Sequence, residues 1–322
     1  MKIAVLIPCY NEELTIGRII GSFRALLPNA DIFVYDNNSI DGTAAAARAA
    51  GVEPRVETMQ GKGHVVRRMF ADVEADAYIL VDGDGTYDAP AAVFMLSRLV
   101  ADRLDMVVGR RRSAQSAGAY RAGHALGNRL LTGAVSLAFG ARFTDMLSGY
   151  RVLSRRFVKS FPSLSQGFEI ETELTVHALS LHLPAAEVDT PYYARPEGST
   201  SKLNTYRDGL RIGLTIVKLL KEERPFGFFS AIACLLMGGA LVLAAPLLLT
   251  YLHTGLVPRL PTAVAATGLT ILASLSFACA VVLDSVRHGR LEMRRFFYLR
   301  QAAPDYQATA LVGRSPQKAA QA

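Results

Sequence analysis

The sequence predicts an α/β domain built on a mostly parallel sheet with helices on both faces, followed by an interfacial helix and two transmembrane helices. Two observations lead there. Short β-rich runs alternate with segments whose apolar residues recur at helical spacing, and near the C-terminal end the charged residues vanish from two long stretches.

The alternation begins at once. Residues 2–8 read as a strand, 12–27 as a helix with Leu14, Ile16, Ile19, Ile20, Phe23, Leu26 and Leu27 on one face, and 31–35 as a second strand. A helix at 41–50, a strand near 52–57, a helix from 62 to 75, the strand 77–81, a helix at 90–100 and a strand at 105–108 follow. Such a sheet places ligands in the crevice at the carboxyl ends of its strands. Beyond Gly109 the reading is a basic, Gly/Ala-rich helical stretch to about Phe139, a loop, a helix at 167–181 and a strand at 187–192.

Residues 208–221 set Leu210, Leu214, Val217 and Leu220 on one helical face, as an interfacial helix requires. No Asp, Glu, Lys or Arg occurs from Pro225 to Pro258, nor between Arg259 and Asp284. As helices, 226–252 and 260–283 would each cross a hydrocarbon core of roughly 30 Å, joined by the hairpin 253–259. The expected organisation is a domain at 1–203, the interfacial helix at 204–225, the two spans at 226–284, and a basic segment with a mobile tail at 285–322.

Composition agrees with a membrane protein: 51% of residues are apolar and mean hydropathy is +0.23, yet 20% are charged. The net charge of +7 is concentrated partly in the flanks, with Lys202, Arg207, Arg211, Lys218, Lys221 and Arg224 before the first span and Arg287, Arg290, Arg294, Arg295 and Arg300 after the second. That asymmetry places both termini and the α/β domain in the cytoplasm, and the start, in which Lys2 leads straight into a strand, does not read as a signal peptide. With no Trp and no aromatics interleaved among the basic runs, nucleic acid is not an expected partner. Cys9, Cys234 and Cys279 have no ligand-like spacing, so neither a disulfide framework nor a zinc site is indicated. Homo-oligomerisation is left open.

The chemistry-bearing residues cluster after strands. Asp82-Gly83-Asp84 ends an apolar strand, and two carboxylates about a turning glycine can share a hard cation with a diphosphate, although Asp-Gly also punctuates ordinary turns. Asp84 is the leading metal ligand and Asp82 shares the ion or a ribose. Pro8 and Tyr10 shape a loop suited to a nucleobase, with Glu12 and Gly83 beside it. Asp36 either accepts hydrogen bonds from base or ribose or closes an Asx turn. Lys62, between two glycines, either approaches a diphosphate or is a solvated lysine. Arg110, Arg111, Arg112, Arg121 and Arg129 offer forked donors to an anionic acceptor, or face headgroups and water. Asp145 orients the reacting groups or acts as base, with Arg151 as a partner. Glu173 and His177, one turn apart, read as a helical pair on a solvated acidic face, and Glu171 is an active-site candidate.

Four of these segments carry a resemblance: Ile7-Pro8-Cys9-Tyr10-Asn11-Glu12-Glu13, Asp36-Asn37-Asn38-Ser39, Asp82-Gly83-Asp84 and Asp145-Met146-Leu147-Ser148-Gly149-Tyr150-Arg151. In this order they look like the family 2 glycosyltransferases, and within them are most similar to the dolichyl- and polyprenyl-phosphate sugar synthases, which join a GT-A domain to a few transmembrane helices. The resemblance implies a nucleotide-diphosphate sugar as donor, Mg2+ or Mn2+ as cofactor, a polyprenyl phosphate lipid as acceptor and inversion at the anomeric carbon. It also implies acceptor contacts from Arg110 and Arg121, and an acceptor loop running from Arg195 to Lys202. A neutral lipid hydroxyl as acceptor and a catalytically silent scaffold are the alternatives. Processive synthases carry a Gln-x-x-Arg-Trp motif that a chain without Trp lacks.

The topology is testable directly. With the three native cysteines replaced, a single cysteine in 254–257 is expected to react with an impermeant thiol reagent from outside the cell, and one in 301–322 only after permeabilisation. The opposite pattern would reverse the orientation.

Overall fold

The structure, a computed structural model, describes residues 1–113, 133, 143–167, 169–195, 214, 217–218, 220–257 and 259–302. It divides into an α/β unit, Met1–Ile212 with Arg294–Ala322, and a helical unit, Gly213–Met293.

The α/β unit alternates β1 (Ile3–Cys9), α1 (Glu13–Leu26), β2 (Asp31–Asp36), α2 (Thr43–Ala49), β3 (Arg55–Val56), α3 (Lys62–Asp72), β4 (Ala77–Leu80), α4 (Ala89–Ala101) and β5 (Met106–Ser113). Then come β6 (Arg151–Ser154), α5 (Arg155–Ser160), α6 (Ile170–Leu181) and β7 (Ala185–Tyr192). The strands form one seven-stranded sheet in the order β3-β2-β1-β4-β6-β5-β7. β6 runs antiparallel to both neighbours, whereas the β1–β2, β1–β4, β2–β3 and β5–β7 pairs are parallel. Helices on both faces bury the inner strands on two sides, which explains why β4 is apolar throughout and why Val5, Ile7 and Ile79 are fully buried.

The mostly parallel architecture read from the sequence is present, and the differences have physical causes. β6 and α5 fall where a loop was expected, because β6, Arg-Val-Leu-Ser, is four residues long and both its ends are polar yet buried. Strand register, rather than apolar alternation, admits it to the sheet. β3 shrinks to two residues, and β5 extends five residues past its expected end, beyond Val108, as a ribbon with β7. The solvated acidic face expected around Glu173 and His177 is a correction: α6 is buried over nearly its whole length. Glu173 accepts the Leu164 and Ser165 N–H groups at 2.9 and 2.8 Å. The His177 ring is 1% exposed, lies edge-on between Phe157 and Phe161, and meets Ser160 Oγ at 3.0 Å. The expected helical stretch through 139 and most of the interfacial helix lie outside the described residues.

In the helical unit, α7 (Pro225–Thr254) and α8 (Leu260–Leu299) are long and apolar enough to cross a membrane, and 17% of each apolar window is buried, unlike a core helix. Apart from Pro225 and Leu291, their buried residues are alanines spaced by seven, Ala233 and Ala240 on one and Ala266, Ala273 and Ala280 on the other, so the two backbones approach closely along one seam. Ser276 Oγ adds a 3.0 Å hydrogen bond to the Phe229 carbonyl. The segment after residue 284, expected as separate from the second span, continues α8 without a break, since no Gly-Pro punctuation or apolar cap ends it. Within the α/β unit, the Tyr298 hydroxyl donates to Asp105 at 2.8 Å and Arg156 lies over the Tyr298 ring.

His177 gives this fold a pH dependence. Burial, with the Arg294 charge adding to it, pushes its pKa down to about 3, below the ordinary 6.5. The folded state therefore keeps the ring neutral while the unfolded chain protonates, so its contribution is complete above pH 6.5 and is lost as pH falls toward 3, at about 1.4 kcal/mol per pH unit. The denaturation midpoint of the full chain in detergent should fall between pH 7 and 4.5 by less in His177→Gln than in the native protein; equal falls would exclude His177 as the cause.

Candidate active site

The carboxyl ends of β1, β2 and β4 open into a cavity of about 470 Å³. Its walls include Pro8, Tyr10, Glu12, Lys62, Asp82, Gly83 and Asp84, all expected from the sequence on the donor side, together with Arg195, which was expected on the acceptor loop. The loops that carry them are tied together by short polar contacts. The Asn11 amide oxygen accepts the Ile40 N–H at 2.9 Å, and the Glu12 N–H reaches Thr43 Oγ1 at 2.7 Å. Asn37 supports the next loop: its amide donates to the Glu57 and Met59 carbonyls at 2.8 and 2.9 Å and accepts the Gly61 N–H at 2.7 Å. Gly61 adopts φ +134°, and a Cβ there would meet the Gln166 carbonyl at 2.2 Å, so only glycine allows the close approach that presents Lys62.

Lys62 is 10% exposed and its ammonium bridges the Asp82 carboxylate and Glu171 Oε1, the latter at 2.5 Å. Burial alone would lower its pKa, but the two carboxylates outweigh burial and raise it above the ordinary value, so the lysine stays charged. The solvated-lysine reading is excluded. The other oxygen of Glu171, Oε2, is buried and has no hydrogen-bond partner among the described residues. Asp84, 6% exposed, accepts the Thr86 N–H at 3.1 Å and the Thr86 hydroxyl at 2.6 Å through Oδ1, and Arg195 Nη2 at 2.7 Å through Oδ2. Each carboxylate of the Asp82/Asp84 pair thus carries a protein cation.

The Asp145 loop adjoins this wall without lining the cavity. Its partner is a correction: Arg111, not Arg151, forks both Asp145 oxygens at 2.8 and 2.7 Å, and the Arg111 N–H adds a third bond at 3.1 Å. Burial would raise the Asp145 pKa, but Arg111 holds it below the usual carboxylate range. Arg110 pairs with Asp189 and reaches Thr144 Oγ1 at 3.3 Å, while Arg112 takes the other Asp189 oxygen at 2.6 Å. Arg151 is fully buried and points its guanidinium at the Ser148, Met146 and Glu171 carbonyls and Thr175 Oγ1, at 2.8–3.1 Å.

Asp36 is also outside the cavity lining; its Oδ1 accepts the Ser39 N–H, three residues on, at 3.3 Å, a turn closed by the Asp side chain as in the alternative reading. Arg121, Arg129 and Lys202 lie outside the described residues. Sequence reasoning missed Asn37, Gln60, Gln166, Gly167 and Glu169, which line the cavity, and Thr86, which holds Asp84. Asn37 lies within a recognised motif and Thr86 adjoins one, so both were reachable; Gln166 and Gly167 belong to a connection with no pattern of its own.

Two carboxylates facing one cavity fit a hard cation held jointly with phosphate oxygens. Among the described residues no group of three or more His, Cys, Asp or Glu side chains gathers to hold a metal unaided.

A mostly parallel sheet whose acidic, cation-flanked crevice opens at its strand ends is a GT-A-like fold. The chain belongs to glycosyl transferase family 2, whose model matches residues 4–160, and it is a glycosyltransferase. It is 36% identical over 231 residues to Glycosyltransferase AglJ of Haloferax volcanii, covering 71% of this chain and 76% of that one. It is 27% identical over 222 residues to the Dolichyl-phosphate hexose transferase of the same organism, covering 69% of this chain and 95% of the relative. Among solved structures, glucosyl-3-phosphoglycerate synthase from Mycobacterium tuberculosis in complex with Mn2+ and UDP-glucose superposes with a TM-score of 0.55 at 24% identity, covering 68% of this chain and 78% of that one, a likeness of fold.

Gly149 offers a clean test of the crevice. A Cβ at this position would come 2.4 Å from Asp82 Oδ2 and 2.9 Å from Lys62 Nζ. Gly149→Ala is expected to weaken nucleotide-sugar binding by at least about tenfold, through displaced charged groups, with little change in melting temperature. Native donor affinity in this variant would mean that the Asp82–Lys62 contact does not shape the donor site.

Proposed function

We propose that the chain transfers one sugar, with inversion, from a UDP- or GDP-sugar to a polyprenyl monophosphate at the cytoplasmic face of the membrane. The observation that carries this reading is the state of the two carboxylates put forward as bases. Asp145 is forked by Arg111 and Glu171 is bound by Lys62. A hydroxyl acceptor needs a base to take its proton; Asp145, held below the usual carboxylate range by Arg111, is a weak one, and Glu171, whose pKa burial raises, has Oε1 occupied by Lys62 and does not line the cavity. A phosphate monoester arrives already ionised. The relative's name, Dolichyl-phosphate hexose transferase, and the two apolar helices point to the same lipid class.

In this mechanism the crevice binds the donor diphosphate near Asp82 and Asp84, with Lys62 a fixed positive charge and Arg195 a second cation beside it. Mg2+ or Mn2+, when bound by Asp84 with Asp82, supplies charge neutralisation on the departing nucleoside diphosphate. An acceptor phosphate oxygen forms the new bond to the anomeric carbon as the bond to the diphosphate oxygen breaks on the opposite side. Asp145 has a positional role here: with Arg111 it fixes the loop 143–150, whose Thr144 and Asp145 N–H groups also bind Glu187 at 2.7 and 2.9 Å. Arg110, with Arg121 and Lys202 by resemblance, binds the acceptor phosphate.

Purified full-length protein, assayed with a panel of UDP- and GDP-sugars, is expected to use polyprenyl phosphate and not the corresponding prenol. Asp84→Asn should lower kcat by about 10²–10³-fold, and Arg110→Ala should raise KM for the lipid by about 10- to 100-fold with KM for the donor unchanged. Equal glycosylation of prenol and prenyl phosphate, with no sensitivity at Arg110, would establish a neutral acceptor instead.

A further inference from the structure

Asp84 has a single oxygen to offer. Thr86 engages Oδ1 twice, through its N–H at 3.1 Å and its hydroxyl at 2.6 Å, and Thr86 and Asp84 are 1% and 6% exposed. Turning the carboxylate to present Oδ1 would leave a buried hydroxyl and a buried N–H without an acceptor, a penalty larger than the value of either bond. The other oxygen, Oδ2, is the one that Arg195 Nη2 binds at 2.7 Å. A hard cation approaching Asp84 therefore meets the oxygen that already carries a guanidinium.

The two cations of the crevice are held differently. Lys62, 10% exposed, is gripped on its far side by Glu171 and so stays in place when Asp82 changes partner. The Arg195 side chain is 28% exposed, and its segment closes onto the sheet through the Tyr193 N–H, which donates to the Thr86 carbonyl at 2.9 Å. Thr86 thus touches both members of the pair, Asp84 by its own hydroxyl and the Arg195 segment by its carbonyl.

We propose that Arg195 is a tethered competitor of the divalent cation for Asp84 Oδ2, and that Thr86 makes the exchange obligatory by withholding Oδ1. This rests on the reading of Asp84 as metal ligand. Cation loading and release of the Arg195 guanidinium are then one event. The released guanidinium, at the cavity wall, becomes a forked donor for the diphosphate that arrives with the ion, so that nucleotide and metal bind cooperatively and the metal alone binds weakly.

The test is Mn2+ binding to the purified full-length protein in detergent, without nucleotide, followed by the electron paramagnetic resonance signal of free Mn2+. Arg195→Met is expected to bind Mn2+ about five- to tenfold tighter than the native chain, and Arg195→Lys, which keeps the charge, to fall between them. In a Thr86→Val background, where Oδ1 is opened, Arg195→Met should change the affinity by less than about twofold, a non-additivity that a purely structural role would not produce. Unchanged or weaker Mn2+ binding in Arg195→Met overturns the proposal, and a full Arg195 effect in Thr86→Val overturns the part assigned to Thr86. Asp84→Asn separates the two levels. Mn2+ binding that ignores Asp84→Asn removes the metal reading and this inference together, whereas binding that depends on Asp84 but not on Arg195 removes this inference alone.

Discussion

The crevice depends on one buried guanidinium. Arg151 is fully excluded from solvent, and burial lowers its pKa to about 10, still well above neutrality, so the sheet contains a permanent internal charge. Such a charge is tolerable only when its donors are matched, and here Nε, Nη1 and Nη2 find the Ser148 carbonyl, Thr175 Oγ1 and the carbonyls of Met146 and Glu171. Those acceptors belong to the Asp145 loop and to α6. By satisfying itself, Arg151 staples the two together against the reversed strand β6. Everything on the far wall of the site inherits its position from this staple: Gly149 against Asp82, Glu171 under Lys62, and Asp145 within reach of Arg111.

The charges then pair in sequence across the strand ends. Arg195 faces Asp84, Lys62 joins Asp82 to Glu171, Arg111 forks Asp145, and Arg110 and Arg112 share Asp189. The Lys62 and Arg111 pairs are largely shielded, so their geometry is set before any ligand arrives, whereas Arg195 is exchangeable and the Arg112–Asp189 pair is exposed. Pairing with Arg111 also lowers the basicity of Asp145, which a hydroxyl acceptor would require. An arrangement of held carboxylates and exchangeable cations suits the proposed reaction, in which both substrates are phosphate anions and the difficulty lies in charge, not in proton removal.

Much of the architecture was legible in the chain because it rests on local patterns. Apolar runs and helical spacing fixed β1, β2, β4 and α1 to within a few residues, the absence of charge marked α7 and α8, and strand-end motifs brought Pro8, Tyr10, Glu12, Lys62, Asp82 and Asp84 to one cavity. What was misread shares a cause. β6 carries arginine and serine inward, and α6 buries Glu171 and His177, so their sequences look solvated while their partners, Arg151, Lys62, Phe157 and Ser160, stand elsewhere in the chain.

The sequence by itself determined the α/β class, the paired apolar helices, the acidic motif at the end of β4 and, by resemblance of its motifs, the family, since each is written in contiguous residues. Tertiary structure alone decided which cation meets which carboxylate. Nothing local distinguishes Arg110, Arg111 and Arg112, three consecutive residues of β5; the alternation of the strand and its parallel register with β7 send Arg111 to Asp145 and leave its neighbours with Asp189. In the same way Lys62 reaches Glu171, 109 residues away, only because α3 and α6 pack on the same side of the sheet opening. Ion pairs are specified by distance in space, and for these residues the sheet, not the chain, sets that distance.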